Sequence, residues 1–351
     1  MALVLADTPT IAVISVIVPA LNESTGIARC LTALQRQSMP AHQFEILVMD
    51  NGSTDGTVDI ARQFTPHVHT FPGVAIGALR NEGARLARGS VLAFIDADCV
   101  ASRTWLEGAV AALADGGAAV GNKYDLPPDG GWIEAAWLGG VAPGRWQAHE
   151  LWTGNLIVAR ETFLACGGFD ETLVSYEDVA LSHALRSKGP LFCDDRVRVT
   201  HVGGPRTLLE FARQQLWHGF EEWTVFGRGI ARDSFAPALV CLVGYLLVPV
   251  GVLVELLVPV DALVDLRVAA VGVAAVSVAA VGLTLVIAAS LWHLARQLRG
   301  IRSRSPGAVI GLAVLNVVSI SARGAAIAIR ALGLQWSGRR KTINRAASAC
   351  E

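Results

Sequence analysis

Charged residues are scarce in this sequence, and the signatures of two large nucleotide-binding classes are absent from it. Asp, Glu, Lys and Arg make up 17% of the 351 residues, against about 25% in an average soluble domain. No Gly-x-Gly-x-x-Gly follows the first apolar run, and no Gly-Lys-Ser or Gly-Lys-Thr occurs anywhere. These absences disfavour a dinucleotide dehydrogenase and a P-loop nucleoside triphosphatase.

Paired cysteines and an early basic segment are also lacking. The six cysteines include no Cys-x-x-Cys pair, which argues against a zinc site or a disulfide framework and suits a reducing cytosol. The first residues carry Asp7 and Pro9, and no Lys or Arg precedes Arg29. Because a signal peptide begins with a basic region, we expect the first domain to stay in the cytoplasm.

Acidic residues are missing from residues 296–350, which contain ten Lys and Arg, whereas residues 1–295 contain nineteen basic and twenty-nine acidic residues. Residues 236–260 and 268–292 are apolar and long enough to cross a bilayer. Basic residues beside apolar helices mark the cytoplasmic side of a membrane. A nucleic-acid-binding arm is the alternative for a basic tail. It is disfavoured because these charges flank apolar segments, so we expect no nucleic-acid partner.

Two further segments complete the predicted membrane part. Residues 307–334 are apolar but contain Arg323 and Arg330 and have basic flanks on both sides, which favours two spans plus a re-entrant or interfacial third segment. Residues 206–227 mix aromatic and charged residues, as in an amphipathic helix that lies on a bilayer or packs on the first domain. The predicted division is a domain at 1–205, an interfacial helix and linker at 206–235, membrane helices at 236–335 and a basic cytoplasmic tail at 336–351.

Apolar runs alternate with helical patterns in the first domain. The runs lie at residues 12–19, 44–49, 68–71 and 91–95. This alternation predicts an α/β fold with a mainly parallel wound sheet. Three of the runs end in polar loops, and the carboxyl ends of parallel strands share the edge of the sheet where ligands bind. We therefore predict a nucleotide site at that edge.

Asp96 and Asp98 follow the run at 91–95 directly. Two carboxylates at the end of a strand suit a hard divalent cation that carries a diphosphate, although Asp is also common in turns and helix caps. Without a glycine-rich cradle, the diphosphate would need a metal and a basic side chain, which Asp98 and Arg80 could supply. A solvated helix arginine is the alternative for Arg80.

The motifs together resemble the family 2 glycosyltransferases, whose nucleotide-sugar-binding fold is called GT-A. The matching segments are residues 16–23 (VIVPALNE), 50–57 (DNGSTDGT), 79–83 (LRNEG), 94–98 (FIDAD), 154–155 (GN), 167–171 (GGFDE) and 176–181 (YEDVAL). Their order and spacing agree with the family over about residues 13–205. The resemblance implies that the protein transfers a sugar from a nucleotide-sugar.

The resemblance assigns the reacting groups. It makes Asp98 the direct ligand of a divalent metal, Mg²⁺ or Mn²⁺, with Asp96 near the ribose or a metal-bound water. His201 would complete the metal shell, although a histidine at a strand end is often structural. Asp178 would be the general base of a single displacement with inversion, although an acid in the first turn of a helix is also common.

The resemblance also assigns the donor pocket. Glu23 and Asp50 would line the nucleoside site, and the remaining donor-binding residues are Pro19, Arg80, Asp96, Asn155 and Glu177. Asn51 departs from the many relatives that have a second Asp there. An amide can both accept from and donate to a base, so a UDP-sugar remains the expected donor.

Membrane anchoring implies an acceptor that is held at the membrane, either a polysaccharide or a lipid-linked glycan. The expected protein is therefore a multi-pass protein of the inner membrane with a cytoplasmic catalytic domain. Trp146 and Trp152 could form an acceptor platform or belong to the core. Transfer to a polyprenyl phosphate and a non-catalytic scaffold in a glycan-assembly system are the two alternatives.

Overall fold

The chain forms two compact units in a computed structural model that describes residues 14–138, 141, 143–173, 175–227, 235–257, 266–298 and 306–332. Of the described residues, those within 14–130 and 141–204 belong to the first unit, and those within 131–138 and 205–332 belong to the second. Residues 131–138 fall within the predicted catalytic domain at 1–205, but the structure groups them with the helical second unit. The predicted basic tail at 336–351 lies outside the described residues.

The first unit is built on an eight-stranded sheet with the order β3-β2-β1-β4-β8-β6-β9-β7. The strands are β1 Ile14–Ala20, β2 Phe44–Asp50, β3 Val68–Thr70, β4 Val91–Ile95, β6 Ala119–Gly121, β7 Arg145–Ala148, β8 Asn155–Ala159 and β9 Leu191–Asp194; a separate pair contains β5 Cys99–Ala101 and β10 Val199–His201. The strands β1 to β4 run parallel to one another, as predicted. The other half is mixed, because β8 runs antiparallel to both β4 and β6.

Helices cover both faces of this sheet. They are α1 Ile27–Gln35, α2 Thr57–Arg62, α3 Ile76–Leu86, α4 Trp105–Ala114, α6 Arg160–Ala165 and α7 Glu177–Arg186. Every residue of β1 is buried, as expected for a strand between two helical layers. One core contains Leu31 and Trp105, and the other contains Phe94 and Phe163. Gly83 lets α3 approach the sheet, since a Cβ there would lie 2.6 Å from Ile17.

The short antiparallel pair β5–β10 brings two distant segments together. Cys99 pairs with His201 in its register, and the backbone N–H of Val202 donates to the carbonyl of Asp98 at 2.9 Å. His201 is therefore placed beside the segment that follows β4.

The second unit is helical. It contains α5 Trp132–Leu138, α8 Leu208–Gly227, α9 Phe235–Leu257, α10 Leu266–Leu298 and α11 Pro306–Ala331. Phe211 of α8 is fully buried with Ile133 of α5 and Leu315 of α11. One face of the predicted amphipathic helix is thus packed on other helices, while Leu209 remains 59% exposed.

Among the described residues, one helix, Pro306–Arg330, is long and apolar enough to cross a membrane by length and composition. Residues 306–331 form one uninterrupted helix, and the re-entrant or interfacial placement of this segment at a membrane stays a prediction. Arg323 is compatible with that helix because it is buried, and its guanidinium donates to Gln215 Oε1 of α8 at 2.7 Å. The predicted spans at 236–260 and 268–292 correspond to α9 and α10, whose described apolar stretches are shorter.

Candidate active site

A cavity of about 490 Å³ opens at the carboxyl ends of β1, β2 and β4. Strand ends and the loop before α3 form its walls, and a parallel sheet places ligands at this edge. The predicted site residues that line it are Pro19, Glu23, Asn51, Asp96 and Asp98. The sequence prediction that the polar strand ends converge is therefore confirmed.

Asp98 and His201 form the closest acid–imidazole contact of the site. Asp98 Oδ2 and His201 Nε2 are 3.2 Å apart, and both side chains retain partial exposure. Burial raises the pKa of Asp98, but the hydrogen bond and charge of His201 outweigh it and hold that pKa below its usual value. Asp98 is therefore ionised at neutral pH. No group of three or more His, Cys, Asp or Glu side chains among the described residues is arranged to hold a metal ion.

Arg80 joins the two acidic motifs from inside the protein. Its guanidinium is 2% exposed and donates at 2.7 Å to Asp96 Oδ1 and at 2.7 Å to Glu177 Oε1. Its Nε has no hydrogen-bond partner. The structure thus gives Arg80 two protein carboxylates as partners rather than a position on the cavity wall, and Glu177 is likewise engaged by Arg80.

The pKa of Glu23 is affected by the negative charge of the cavity. Burial, followed by the charges of Asp98 and Asp96, raises the pKa of Glu23 to about 7. Three carboxylates thus share a confined space in which Arg80 neutralises only Asp96 directly. Such a cluster favours binding of a cation.

Two residues predicted for the nucleoside pocket support the loops around it. Asp50 is 1% exposed, and its carboxylate accepts from the backbone N–H groups of Gly52 and Ser53. Asn51 lines the cavity, but its amide donates to the carbonyl of Val74 and accepts from the N–H of Val74. Asp50 therefore fixes the turn after β2, and Asn51 fixes the opposite loop.

Asn155 is fully buried behind the cavity. Its side chain accepts from Trp105 Nε1 at 2.9 Å and donates to the carbonyl of Val197 at 2.9 Å. The adjacent Gly154 lets the backbone approach the acidic pair, because a Cβ there would lie 2.5 Å from Asp96 Oδ2. Gly154 thus leaves space beside Asp96, whereas the side-chain amide of Asn155 bonds to other protein groups.

Asp178 lies in the first turn of α7, directly after Glu177. Its Oδ1 accepts from the N–H of Val179 at 2.8 Å, and it is not among the residues that line the cavity. The preceding Tyr176 adopts a left-handed backbone, with φ of 64°. The ion pair between Glu177 and Arg80 connects this turn to the acidic pair at the end of β4.

Tyr124 belongs to the site although no sequence pattern pointed to it. Its ring contacts those of His201 and Trp152, with centroids 5.1 Å apart in both cases. The ring therefore packs against His201 within the site. A single Tyr outside any strand-end motif carries no signal in one sequence. Trp152, considered as an acceptor platform, joins this aromatic cluster.

The sequence matches the model of the family described as glycosyl transferase family 2 over residues 15–161. Glycosyltransferase AglE of Haloferax volcanii is 31% identical over 264 residues, which cover 69% of this chain and 84% of AglE. The chain is a family 2 glycosyltransferase. Validoxylamine A glucosyltransferase of Streptomyces hygroscopicus subsp. jinggangensis is 27% identical over 224 residues, which cover 52% of this glycosyltransferase and 53% of that relative.

A solved structure supports the predicted GT-A fold. Mannosyltransferase PcManGT from Pyrobaculum calidifontis, determined in complex with GDP-Man and Mn²⁺, aligns with a TM-score of 0.56 and 18% identity over 92% of this chain and 88% of that one. The α/β catalytic fold followed by a helical region is therefore confirmed for this glycosyltransferase.

Proposed function

We propose that this glycosyltransferase moves a sugar from a nucleotide-sugar, with a UDP-sugar as the expected donor, to an acceptor held at a membrane, with inversion and with the help of a divalent cation. The observation that supports this most is the convergence of Glu23, Asp96 and Asp98 around one cavity with His201 3.2 Å from Asp98. The cavity volume of about 490 Å³ lies in the usual range for small-molecule sites.

The acidic residues fit a cation that also binds substrate. Adjacent ligands of an octahedral ion with bonds of about 2.1 Å lie about 3 Å apart, close to the 3.2 Å between Asp98 Oδ2 and His201 Nε2. Mg²⁺ is commonly held by one or two protein carboxylates together with substrate phosphates, so two protein ligands suffice. When bound, the ion would offset the charge that develops on the departing diphosphate.

The residues around the cation have separate roles in this proposal. Asp98 and His201 would hold the ion with Asp96 beside them, and Arg80 keeps the Asp96 carboxylate in one orientation through its 2.7 Å ion pair. Asp178 accepts the proton of the acceptor hydroxyl as that oxygen attacks the anomeric carbon. Glu177, paired with Arg80, fixes the turn that carries Asp178.

An acceptor held at the membrane explains why the catalytic unit is joined to apolar helices. The second unit contains the apolar helices α9, α10 and α11, of which Pro306–Arg330 is long and apolar enough to cross a bilayer. A soluble acceptor would give no reason for such a helical region. The proposed location is therefore a membrane, with the catalytic unit on its cytoplasmic side and a growing polysaccharide or lipid-linked glycan as acceptor.

Two substitutions test this assignment in the full-length protein. Asp98→Ala should abolish transfer and also weaken metal-dependent binding of UDP, because it removes a ligand of the ion. Asp178→Asn should abolish transfer but leave UDP binding intact, because it removes only the base. The measurement is sugar transfer with a panel of nucleotide-sugars, together with calorimetric UDP binding with and without Mn²⁺.

The outcomes separate the alternatives. Full activity in Asp98→Ala contradicts the proposed site. Activity that survives in Asp178→Asn favours a polyprenyl phosphate as acceptor, because a phosphate anion needs no base. Absence of transfer with every donor, together with unaltered UDP binding in Asp98→Ala, supports a non-catalytic scaffold.

A further inference from the structure

A second groove in the catalytic unit is basic. It has a volume of about 810 Å³ and lies between α1 and the segment that contains β5. Its lining includes Arg29, Arg36 and Arg103. None of the residues that line it also lines the proposed donor cavity, so the two are separate sites.

The three arginines of this basic groove have no ion-pair partner within the part of the chain that the structure describes. By contrast, Arg80, Arg196 and Arg198 in the same unit each pair with an Asp at 2.7 Å or less. The unpaired set is notable because acidic residues outnumber basic ones, twenty-nine to nineteen, over residues 1–295. Like charges that share a groove without a counter-charge repel each other, and an anion in the groove would relieve this repulsion.

The backbone that carries these arginines is fixed. Arg29 lies in the first turn of α1, and Arg36 is the residue that caps its carboxyl end. Gln37 is buried and donates to the carbonyl of Ser102 at 2.7 Å, and its Oε1 accepts from the N–H of Leu106 at 3.0 Å. The N–H of Ser38 donates to the carbonyl of Arg103 at 2.8 Å. These bonds hold the loop of Arg103 against the end of α1, so the groove is formed before any ligand arrives.

We propose that the basic groove is a second binding site, for a phosphate-bearing anion distinct from the sugar donor. Guanidinium groups match the geometry of phosphate oxygens and bind them through paired hydrogen bonds. The Thr32 hydroxyl at the groove already donates to the carbonyl of Ala28 at 2.7 Å, so binding depends on the arginines. The same chemistry is presented by a soluble phosphate or diphosphate and by the headgroup of an acidic lipid.

Arginine labelling of the full-length protein tests the proposal. The protein is treated with phenylglyoxal in EDTA, which removes divalent cations from the donor cavity, and the modified peptides are quantified by mass spectrometry. The probes are inorganic pyrophosphate in detergent micelles, and phosphatidylglycerol in nanodiscs compared with nanodiscs of phosphatidylcholine alone. Arg62, an exposed arginine of α2 outside the groove, is the control within the same molecule.

We expect labelling of Arg29, Arg36 and Arg103 to slow about tenfold at a probe concentration about ten times its dissociation constant, because only the unoccupied groove reacts, with Arg62 unchanged. Protection by pyrophosphate identifies a soluble anion as the ligand class, and protection only by phosphatidylglycerol identifies the lipid headgroup. Equal protection of Arg62 or no protection by either probe overturns the proposal.

A pair of variants gives a second, independent test. Arg29→Gln, Arg36→Gln and Arg103→Gln together should lose the binding of the protecting probe, whereas the three corresponding Lys substitutions should retain part of it, because the charge remains without the paired hydrogen bonds. Both variants should keep the basal transferase activity, since no residue of the groove lines the donor cavity. Equal probe binding by the Gln variant and the unmodified protein contradicts the proposal.

Discussion

Arg80 shows how one buried side chain can organise an acidic site. The guanidinium of Arg80 reaches Glu177 and Asp96 through two different nitrogens, whereas a lysine carries all its donors on one nitrogen. We expect Arg80→Lys to leave one carboxylate unpaired and to lower the stability of the protein by about 3 kcal/mol, since breaking a buried ion pair is costly. Thermal unfolding in detergent, followed by circular dichroism, measures the change.

Arg85→Lys is the matched control for this substitution. Arg85 lies on the same helix, is 54% exposed, and pairs with Glu82 and Glu171. Exposed ion pairs contribute little to stability, so this variant should unfold close to the unmodified protein. If Arg80→Lys keeps its stability and loses only UDP binding, the guanidinium contacts the diphosphate, as the family resemblance implied.

Sequence motifs locate residues near the site without telling which way their side chains point. The cavity is lined by Asp96 and Asp98 because they follow a buried strand directly, and the sequence predicted this placement. Asp50 and Asn155 belong to equally clear motifs, yet each is at most 1% exposed and bonds to protein groups. A motif thus does not distinguish a residue that contacts the ligand from one that supports the loop in contact with the ligand.

At the scale of elements, the strands that could be predicted from the sequence are those with long runs of apolar residues. The buried runs of β1, β2 and β4 identified the parallel half of the sheet. The pair β5–β10 has three residues in each strand, and about a hundred residues separate its strands. Strands this short show no periodicity, and their pairing depends on tertiary contacts. The contact between Asp98 and His201 could therefore be reached only through the resemblance.

The start of β2 contains a buried carboxylate that connects three elements. Glu45 accepts from Ser15 Oγ of β1 at 2.6 Å and from the N–H and Nε of Arg88 after α3 at 2.7 and 2.8 Å. Burial raises the pKa of Glu45, but these bonds outweigh it and lower the pKa below 4.5. The pKa of Glu45 is lower in the folded state than in the unfolded state. The stabilisation is therefore present at a pH above the unfolded pKa, and it is lost as pH falls through the folded pKa.

We expect Glu45→Gln to lower the stability of the protein by about 2 kcal/mol at neutral pH, because a hydrogen-bonded charge is removed from a buried position. The difference from the unmodified protein should shrink as pH falls through the lowered pKa of the folded Glu45, because the native carboxylate itself then becomes protonated. Thermal unfolding across this pH range checks both points. Glu107→Gln, at an exposed position in α4, serves as control, and an effect of equal size there contradicts the prediction.

At the scale of the whole molecule, charge and hydrophobicity are divided along the chain. Acidic residues predominate before residue 296, and the segment 296–350 has ten basic residues and no acidic one. The second unit also contains a buried charge, because Arg323 of α11 donates to Gln215 of α8. A charged residue in an apolar helix normally faces protein rather than lipid. The charge of Arg323 therefore does not prevent α11 from lying in a membrane.

The side of the membrane on which the chain ends tests the predicted topology. Basic residues flank α11 on both sides in sequence, at 302–304 and 339–341, and such residues are retained in the cytoplasm. A simple crossing by α11 would place one basic flank outside. We therefore expect α9 and α10 to form the two crossings, with α11 held against the other helices of its unit and Glu351 in the cytoplasm. Reporter fusions at Glu351 and within residues 258–265 measure this, with the second fusion expected outside.

An external reporter at Glu351 would contradict this topology and make α11 the third crossing. If the reporter at Glu351 is cytoplasmic, substitution of Arg339, Arg340 and Lys341 by Asn provides a discriminating variant. If positive charge alone retains the end of the chain, these substitutions should move the reporter at Glu351 outside, because the 26-residue α11 rises about 39 Å at 1.5 Å per residue and can span a bilayer. If Arg323 and Gln215 hold α11 in place, the reporter should stay in the cytoplasm. The result thus distinguishes retention by charge from retention by packing.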